Sequence, residues 1–325
     1  MSDHFDGKRF FNPTFPHGRK LSDLLRWMCT RKKAPWPRWL DNEPVPGPPG
    51  AVGPDELALT FINQATFLVQ MAGCTLLTDP IWSERASPFS WIGPRRVRPP
   101  GLAWEQLPAI DLVLISHNHY DHMDLPTLRR LEERFRPLLL TGLGNRAFLR
   151  NHGLDNVQEL DWWQSKEVAP GIRVTMTPAQ HFSARGLFDQ NRTLWGGFVV
   201  EWPAGVVYFA GDSGYASHFA AIAQRWPQLD VALLPFAAYE PRWFMKPAHM
   251  NAAEAVQAHG DLNPRLTVGM HFGTFQLTDE PMDEPMLALR QALTEQGVAP
   301  GAFVVPGFGE TICLTQPAAN HRNLS

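Results

Sequence analysis

The stretch SHNHYDHMD, residues 116–124, places His117, His119, Asp121 and His122 within six positions. Imidazoles and a carboxylate packed this densely suit a divalent cation, which takes about four such ligands and keeps one position open when it is catalytic. In a tight turn His117 and His119 can aim at one ion while Asp121 and His122 aim at a second. Neither pair completes a shell, so further donors must come from elsewhere. His181, Asp212 and His271 each close an apolar run, IRVTMTPAQH, GVVYFAGD and LTVGMH. The sets that follow are His117, His119, His181 and Asp212 on one ion, and Asp121, His122, Asp212 and His271 on the other, with Asp212 bridging. His152, His218 and His259 stand alone and are read as core or solvated side chains. Two divalent ions held in this way, zinc first with manganese or iron as alternatives, activate a shared water and can cleave esters, amides, lactones or phosphodiesters.

Such donors need strand ends to hold them. DLVLIS before His117 has the length and aliphatic content of a buried strand, and LPTLRRLEERF after Asp124 carries Leu125, Leu128, Leu131 and Phe135 at helical spacing. The motif is therefore a strand-to-helix turn with Asp124 as helix N-cap, at the edge where open α/β sheets bind ligands. ALTFI, TFLVQ and CTLLT, residues 58–62, 66–70 and 74–78, predict an antiparallel meander, and βα units follow. Asp79, at the end of the third run, is placed to support a ligand histidine by accepting its second N–H. In GDSGY the glycines permit a sharp turn beside Asp212. Asn251 and Glu254 form a capping arrangement that sets His249 just before a helix N-terminus, where it could hold a phosphate oxygen or donate a proton.

A hydrophobic content of 44% and a charged content of 19% over 325 residues describe a globular chain with a large core. Its three cysteines, Cys29, Cys74 and Cys313, have no metal-ligand spacing and suggest a reducing compartment. Without an apolar run of membrane-spanning length or a signal-like N-terminus, a cytoplasmic protein is expected. Charge is unevenly spread: residues 1–40 carry +6, against −9 for the remainder. The acidic body argues against nucleic acid as a partner.

KLSDLLRWMCTRKK predicts an amphipathic helix capped by Ser22, with Leu21, Leu24, Leu25 and Met28 on one face. Its basic flanks suit the inner face of an anionic membrane, whereas docking on the protein body or on a second subunit, as in a homodimer, would use the same pattern. DNEPVPGPPGAVGP then acts as a linker, dividing a basic extension, residues 1–54, from a catalytic domain, residues 55–325. Residues 80–108 form a long irregular segment in which Trp82, Phe89 and Trp91 could line an apolar groove. Gln64, in the turn NQAT, could face the site.

Several of these segments resemble one family. RFFNP, LLTDPIWSERASPFSWIGPRR, VLISHNHYDHMD, ELDWW, FAGDSGY, AYEPRWFMKPAHMN and MHFGTF are similar to passages of the metallo-β-lactamase fold, in its N-acylphosphatidylethanolamine-hydrolysing phospholipase D group. HxHxDH alone marks the superfamily; YEPRWFM together with DPIWSERASP is narrower. The resemblance implies a four-layer αββα sandwich and a dinuclear-metal phosphodiesterase of phospholipase D type. It implies a phospholipid substrate, with N-acylethanolamine and phosphatidic acid as products. Asp121 and His249 are then the expected catalytic residues, and Gln64, Trp82 and Tyr239 the expected substrate contacts. A sugar-phosphate lactonase of the same fold is the alternative.

Overall fold

The computed structural model describes residues 2–15, 21–186 and 188–315. The first half of the main body begins with the expected meander, β1 (Glu56–Asn63), β2 (Thr66–Met71) and β3 (Cys74–Thr78), paired antiparallel. Three parallel strands extend it: β4 (Leu112–Ile115), β5 (Leu138–Gly142) and β6 (Val157–Leu160). Helices α2 (Leu125–Phe135) and α3 (Arg146–Arg150) form the crossovers; α1 (Leu21–Thr30) precedes the meander. The second half repeats the scheme with β7 (Ser165–Ala169), β8 (Ile172–Thr177), β9 (Gly197–Trp202) and β10 (Gly205–Phe209) antiparallel, then β11 (Val231–Pro235), β12 (Leu266–Met270) and β13 (Phe303–Val304) parallel. Here α4 (His218–Arg225), α5 (Arg242–Met245), α6 (Ala252–Leu262) and α7 (Glu284–Glu295) connect the strands, and β14 (Thr311–Thr315) returns to pair with β1. The result is two seven-stranded sheets with helices outside, the αββα sandwich expected.

Side-chain alternation explains the layering. In β4, Leu112 and Leu114 join the cluster between the sheets with Phe61, Trp195, Phe198 and Phe209, while Val113 and Ile115 face outward onto Leu128 and Leu131 of α2. A central parallel strand is thus apolar on both faces. Each fully buried Leu in such a layer contributes about 1.5–3 kcal/mol. On the other side α6 packs on α4, α7 and β11.

Two predicted caps change. Asp124 does occupy the N-cap position of α2, but its carboxylate accepts hydrogen bonds from the Ser83 N–H and hydroxyl and the Thr127 hydroxyl, not from the helix backbone. It ties the irregular 80–108 segment to the helix start. Ser22 is not a cap, because α1 already begins at Leu21. Arg19 and Lys20 of the basic extension lie outside the described residues, as does the side chain of Leu21.

The extension folds back on the body. His4 stacks on Trp162 at 3.9 Å, Phe10 enters the core, and Asn12 Nδ2 donates to the His181 carbonyl at 2.7 Å. Helix α1 docks through Trp27, which stacks on Phe244 at 4.9 Å and donates to Asp279. This leaves Leu24, Leu25 and Met28 exposed at 38%, 53% and 60%. No helix among the described residues is long and apolar enough to cross a membrane.

Candidate metal centre

All seven proposed donors meet at the ends of β4, β8, β10 and β12, on one edge of the sandwich. His117, His119 and His181 form one group: His117 Nε2 and His181 Nε2 lie 2.8 and 3.2 Å from His119 Nδ1. Asp121, His122, Asp212 and His271 form the second. His122 Nε2 is 3.2 Å from Asp121 Oδ2 and from Asp212 Oδ2, while His271 Nε2 is 3.2 Å from Asp212 Oδ1. Asp212 faces both groups, since its Oδ2 is also 3.9 Å from His181 Nε2. These separations are close to the edge of a tetrahedron with metal–ligand bonds of about 2.0–2.1 Å. Asp212 Oδ1 is buried and receives no well-directed hydrogen bond, although the His271 nitrogen is so near. Carboxylate oxygens and imidazole nitrogens converging at these distances suit a cation.

Neighbours fix the imidazoles in the required tautomers. His122 Nδ1 donates to Asp79 Oδ2 at 2.6 Å, and His181 Nδ1 to the Ala248 carbonyl at 2.9 Å, so each Nε2 turns its lone pair inward. Ser116 Oγ, itself donating to Asp79 Oδ2, lies 2.9 Å from His117 Nδ1. Asp79 therefore supports both groups, the role its strand-end position suggested. Local backbone geometry is costly in places. His271 has φ +67, in the left-handed region that a non-glycine residue rarely adopts, and its N–H is held by the Gln64 carbonyl at 2.7 Å. Such a conformation costs on the order of 1–3 kcal/mol. Gly211, at φ +60, meets a real requirement, because a Cβ there would lie 2.6 Å from Ser116 Cβ.

Electrostatically the two groups differ. Burial, reinforced by neighbouring imidazoles, holds His117 well below the usual histidine range; burial likewise takes His119 and His181 down to about 3. In the second group burial pulls the same way, but the Asp212, Asp121 and Asp79 carboxylates outweigh it at His122 and raise it. Against the same burial, Asp212 and Asp121 bring His271 to about 9. The first group is three neutral ligands; the second concentrates negative charge that a cation would offset. Only His119 is partly exposed among the seven, which marks the open side of the centre.

His249 lies beside the centre as expected, before α6, whose Asn251–Glu254 capping box is formed. Its Nδ1 is 3.8 Å from Asp212 Oδ2, and Arg242 anchors its segment by donating to the His249 carbonyl and to Glu254. The three expected substrate contacts are placed differently. Gln64 is 1% exposed and turns inward, with Nε2 2.9 Å from both Asp121 Oδ2 and His271 Nε2. Its amide holds two of the metal donors. The Trp82 indole N–H is taken by the Leu102 carbonyl, and the buried Tyr239 hydroxyl by Glu284, so both polar tips serve the scaffold. Phe89 and Trp91 point to solvent. His152 and His259 bond to Phe148 and Thr267, away from the donor groups, while His218 Nε2 lies 3.2 Å from the hydroxyl of Ser213, the residue that follows Asp212, and is not itself one of the metal donors. The sequence carries no sign of four further supports: the Asn12 side-chain amide, the Ser116 hydroxyl beside His117, the Ala248 carbonyl, and the Thr274 hydroxyl that accepts from the Gln64 N–H; such groups follow no spacing rule.

Residues 75–272 match the family model of the beta-lactamase superfamily domain. An N-acyl-phosphatidylethanolamine-hydrolyzing phospholipase D 1 of Caenorhabditis elegans is 37% identical over 267 residues, covering 78% of this chain and 75% of its own. The mitochondrial N-acyl-phosphatidylethanolamine-hydrolyzing phospholipase D of Saccharomyces cerevisiae is 34% identical over 261 residues, 78% of this chain and 55% of its own. Among solved structures, a metallo hydrolase from the archaeon Ignicoccus hospitalis shares the fold, with a TM-score of 0.59 and 22% identity over 80% of this chain and 98% of that one.

Proposed function

Since this chain belongs to the beta-lactamase superfamily, in the family of the N-acyl-phosphatidylethanolamine-hydrolyzing phospholipases D, and is a metal-dependent hydrolase, we propose that it is a dinuclear phosphodiesterase acting on N-acylphosphatidylethanolamine-like phospholipids. The observation that carries the reading is the convergence of His117, His119, His181, Asp121, His122 and His271 around the shared Asp212. Zinc suits this His/Asp set, and manganese or iron would bind the same donors. Two divalent ions bound there supply an activated water and offset the charge that builds on the phosphoryl oxygens. The chain's own residues do the rest. Asp212 sets the spacing of the two donor groups, and Asp79, Ser116 and the Ala248 carbonyl hold the imidazoles in register. Asp121, oriented by Gln64, faces the attacking oxygen. His249, at the rim beside Asp212, donates a proton to the leaving ethanolamine oxygen. Water adds to phosphorus, the bond to the N-acylethanolamine oxygen breaks, and phosphatidic acid remains.

A lipid substrate must be reached at a surface. The exposed Leu24, Leu25 and Met28 of α1 lie on a helix docked against Phe244, in the segment that leads to His249. This face is suited to contact the membrane beside the centre. The test is a side-by-side assay of the metal-replete protein on N-acylphosphatidylethanolamine in vesicles, bis(p-nitrophenyl) phosphate and a lactone panel. Release of N-acylethanolamine is the expected result; turnover of lactones alone would reject the phosphodiesterase reading.

A further inference from the structure

A cavity of about 550 Å³ opens between the segment that follows α1 and the irregular segment after β3. Five of its lining residues are basic, Lys33, Arg38, Arg85, Arg95 and Arg96, and none is acidic. None is one of the seven metal donors. We propose that this pocket binds a phosphate group, at a site separate from the metal centre.

The argument rests on which cations are already used. Arg95 pairs with Glu84, and Arg85 spends its guanidinium on the Ser90 and Gly93 carbonyls. Lys33 and Arg38 make no ion pair among the described residues. Arg96 is the unusual member. It is 3% exposed, stacks its guanidinium over Phe275, and donates Nε to the Ser83 carbonyl and Nη2 to the Ile81 carbonyl. Its Nη1 is buried and has no acceptor. A buried guanidinium nitrogen without an acceptor is costly, and an oxyanion is the partner that its fork geometry fits best. Lys33 and Arg38 supply further positive charge from the rim. Of the acidic side chains near these groups, Asp279 pairs with Arg31 and Glu84 with Arg95, while Asp124 accepts from Ser83 and Thr127 and its charge favours the Arg96 cation without bonding its Nη1.

The surroundings indicate where the phosphate comes from. The loop held by Arg85 displays Phe89, Trp91 and Ile92 at 53%, 72% and 51% exposure. Apolar tips beside a cationic pocket suit a phosphate carried by a lipid headgroup, with the rings at the interface. Inorganic phosphate shares the chemistry and is the other source. The site does not depend on the substrate assigned above.

Arg96 supports its own loop, so the exposed pair carries the test. Wild type, Lys33→Ala/Arg38→Ala and a control, Lys8→Ala/Arg9→Ala, are compared for sedimentation with phosphatidylcholine vesicles containing phosphatidic acid and for calorimetric binding of inorganic phosphate. Phosphate bound at the metal centre is common to all three and cancels. The pocket pair should weaken vesicle binding by roughly 30-fold, the factor for two basic groups near an anionic surface, while the control loses much less and hydrolysis of bis(p-nitrophenyl) phosphate is unchanged. If only inorganic phosphate binds more weakly, the pocket stands with free phosphate as its ligand. No change in either measurement, or equal loss of vesicle binding in both pairs, would overturn the proposal.

Discussion

The donor groups at the strand ends and the surface around α1 handle charge in opposite ways. At the strand ends, imidazoles and carboxylates are buried, and Asp79, Ser116 and Ala248 fix the rings of His122, His117 and His181. Around α1 and the 85–96 loop, cations stand at the rim of an open pocket and apolar side chains face solvent. The first region is preorganised for a small cation by these hydrogen bonds. The second is suited to a large anionic surface whose shape is not fixed in advance. Chemistry and presentation are thus separable, and variants can be chosen to strain that division.

The largest effect should come from Asp212, the carboxylate that faces both donor groups. Asp212→Asn is expected to lower kcat/KM by on the order of 10³-fold or more on soluble and vesicle-borne phosphodiesters alike, since several kcal/mol of charge stabilisation disappear. A loss confined to vesicle substrates would break the comparison. Next comes Asp79→Asn, which leaves all seven donors in place but removes the negative charge behind His122 and turns one of the two oxygens that hold Ser116 and His122 into an N–H donor. Chelator competition should show metal affinity reduced by about 10–100-fold. The reverse case is Leu24→Ser/Leu25→Ser/Met28→Ser on α1. Vesicle binding should fall by roughly tenfold, with hydrolysis of bis(p-nitrophenyl) phosphate unchanged; equal loss on both substrates would mean that α1 serves the centre and not the membrane.

The smallest functional effect concerns a histidine outside the donor groups. Burial holds His218 down to about 3, so its folded form stays neutral while the unfolded chain takes a proton near the ordinary value of about 6.5. Protonation then favours unfolding, and stability falls as pH drops from about 6.5 towards 3. His218→Gln should flatten this part of the acid-unfolding profile, by up to a few kcal/mol, without altering activity at neutral pH. An unchanged acid profile would remove His218 as a titrating group.

The same division governs what could be read from the sequence. The HxHxDH turn and the apolar runs ending at His181, Asp212 and His271 mark the strand ends and the donor groups, because burial on both faces of a parallel strand leaves a pattern in one dimension, whereas the sandwich follows from the family resemblance. Asp79 and the Asn251–Glu254 cap were legible for similar reasons. Gln64 reads as a substrate contact because a turn amide carries no sign of its direction, whereas its side chain turns to Asp121 and His271. Asn12 reaches His181 across 169 positions, and Arg96 became notable only when Ser83 and Ile81 were seen to occupy part of its fork. The apolar stripe of α1 was visible, yet its exposure was decided by Trp27, which took the docking face.

Anomalous diffraction at the absorption edge of the bound metal, on crystals of the native protein, tests the central claim most directly. Two peaks about 3.5–4 Å apart are expected, one against His117, His119 and His181, the other against Asp121, His122 and His271, with Asp212 between them. A single peak, or peaks away from Asp212, would contradict it.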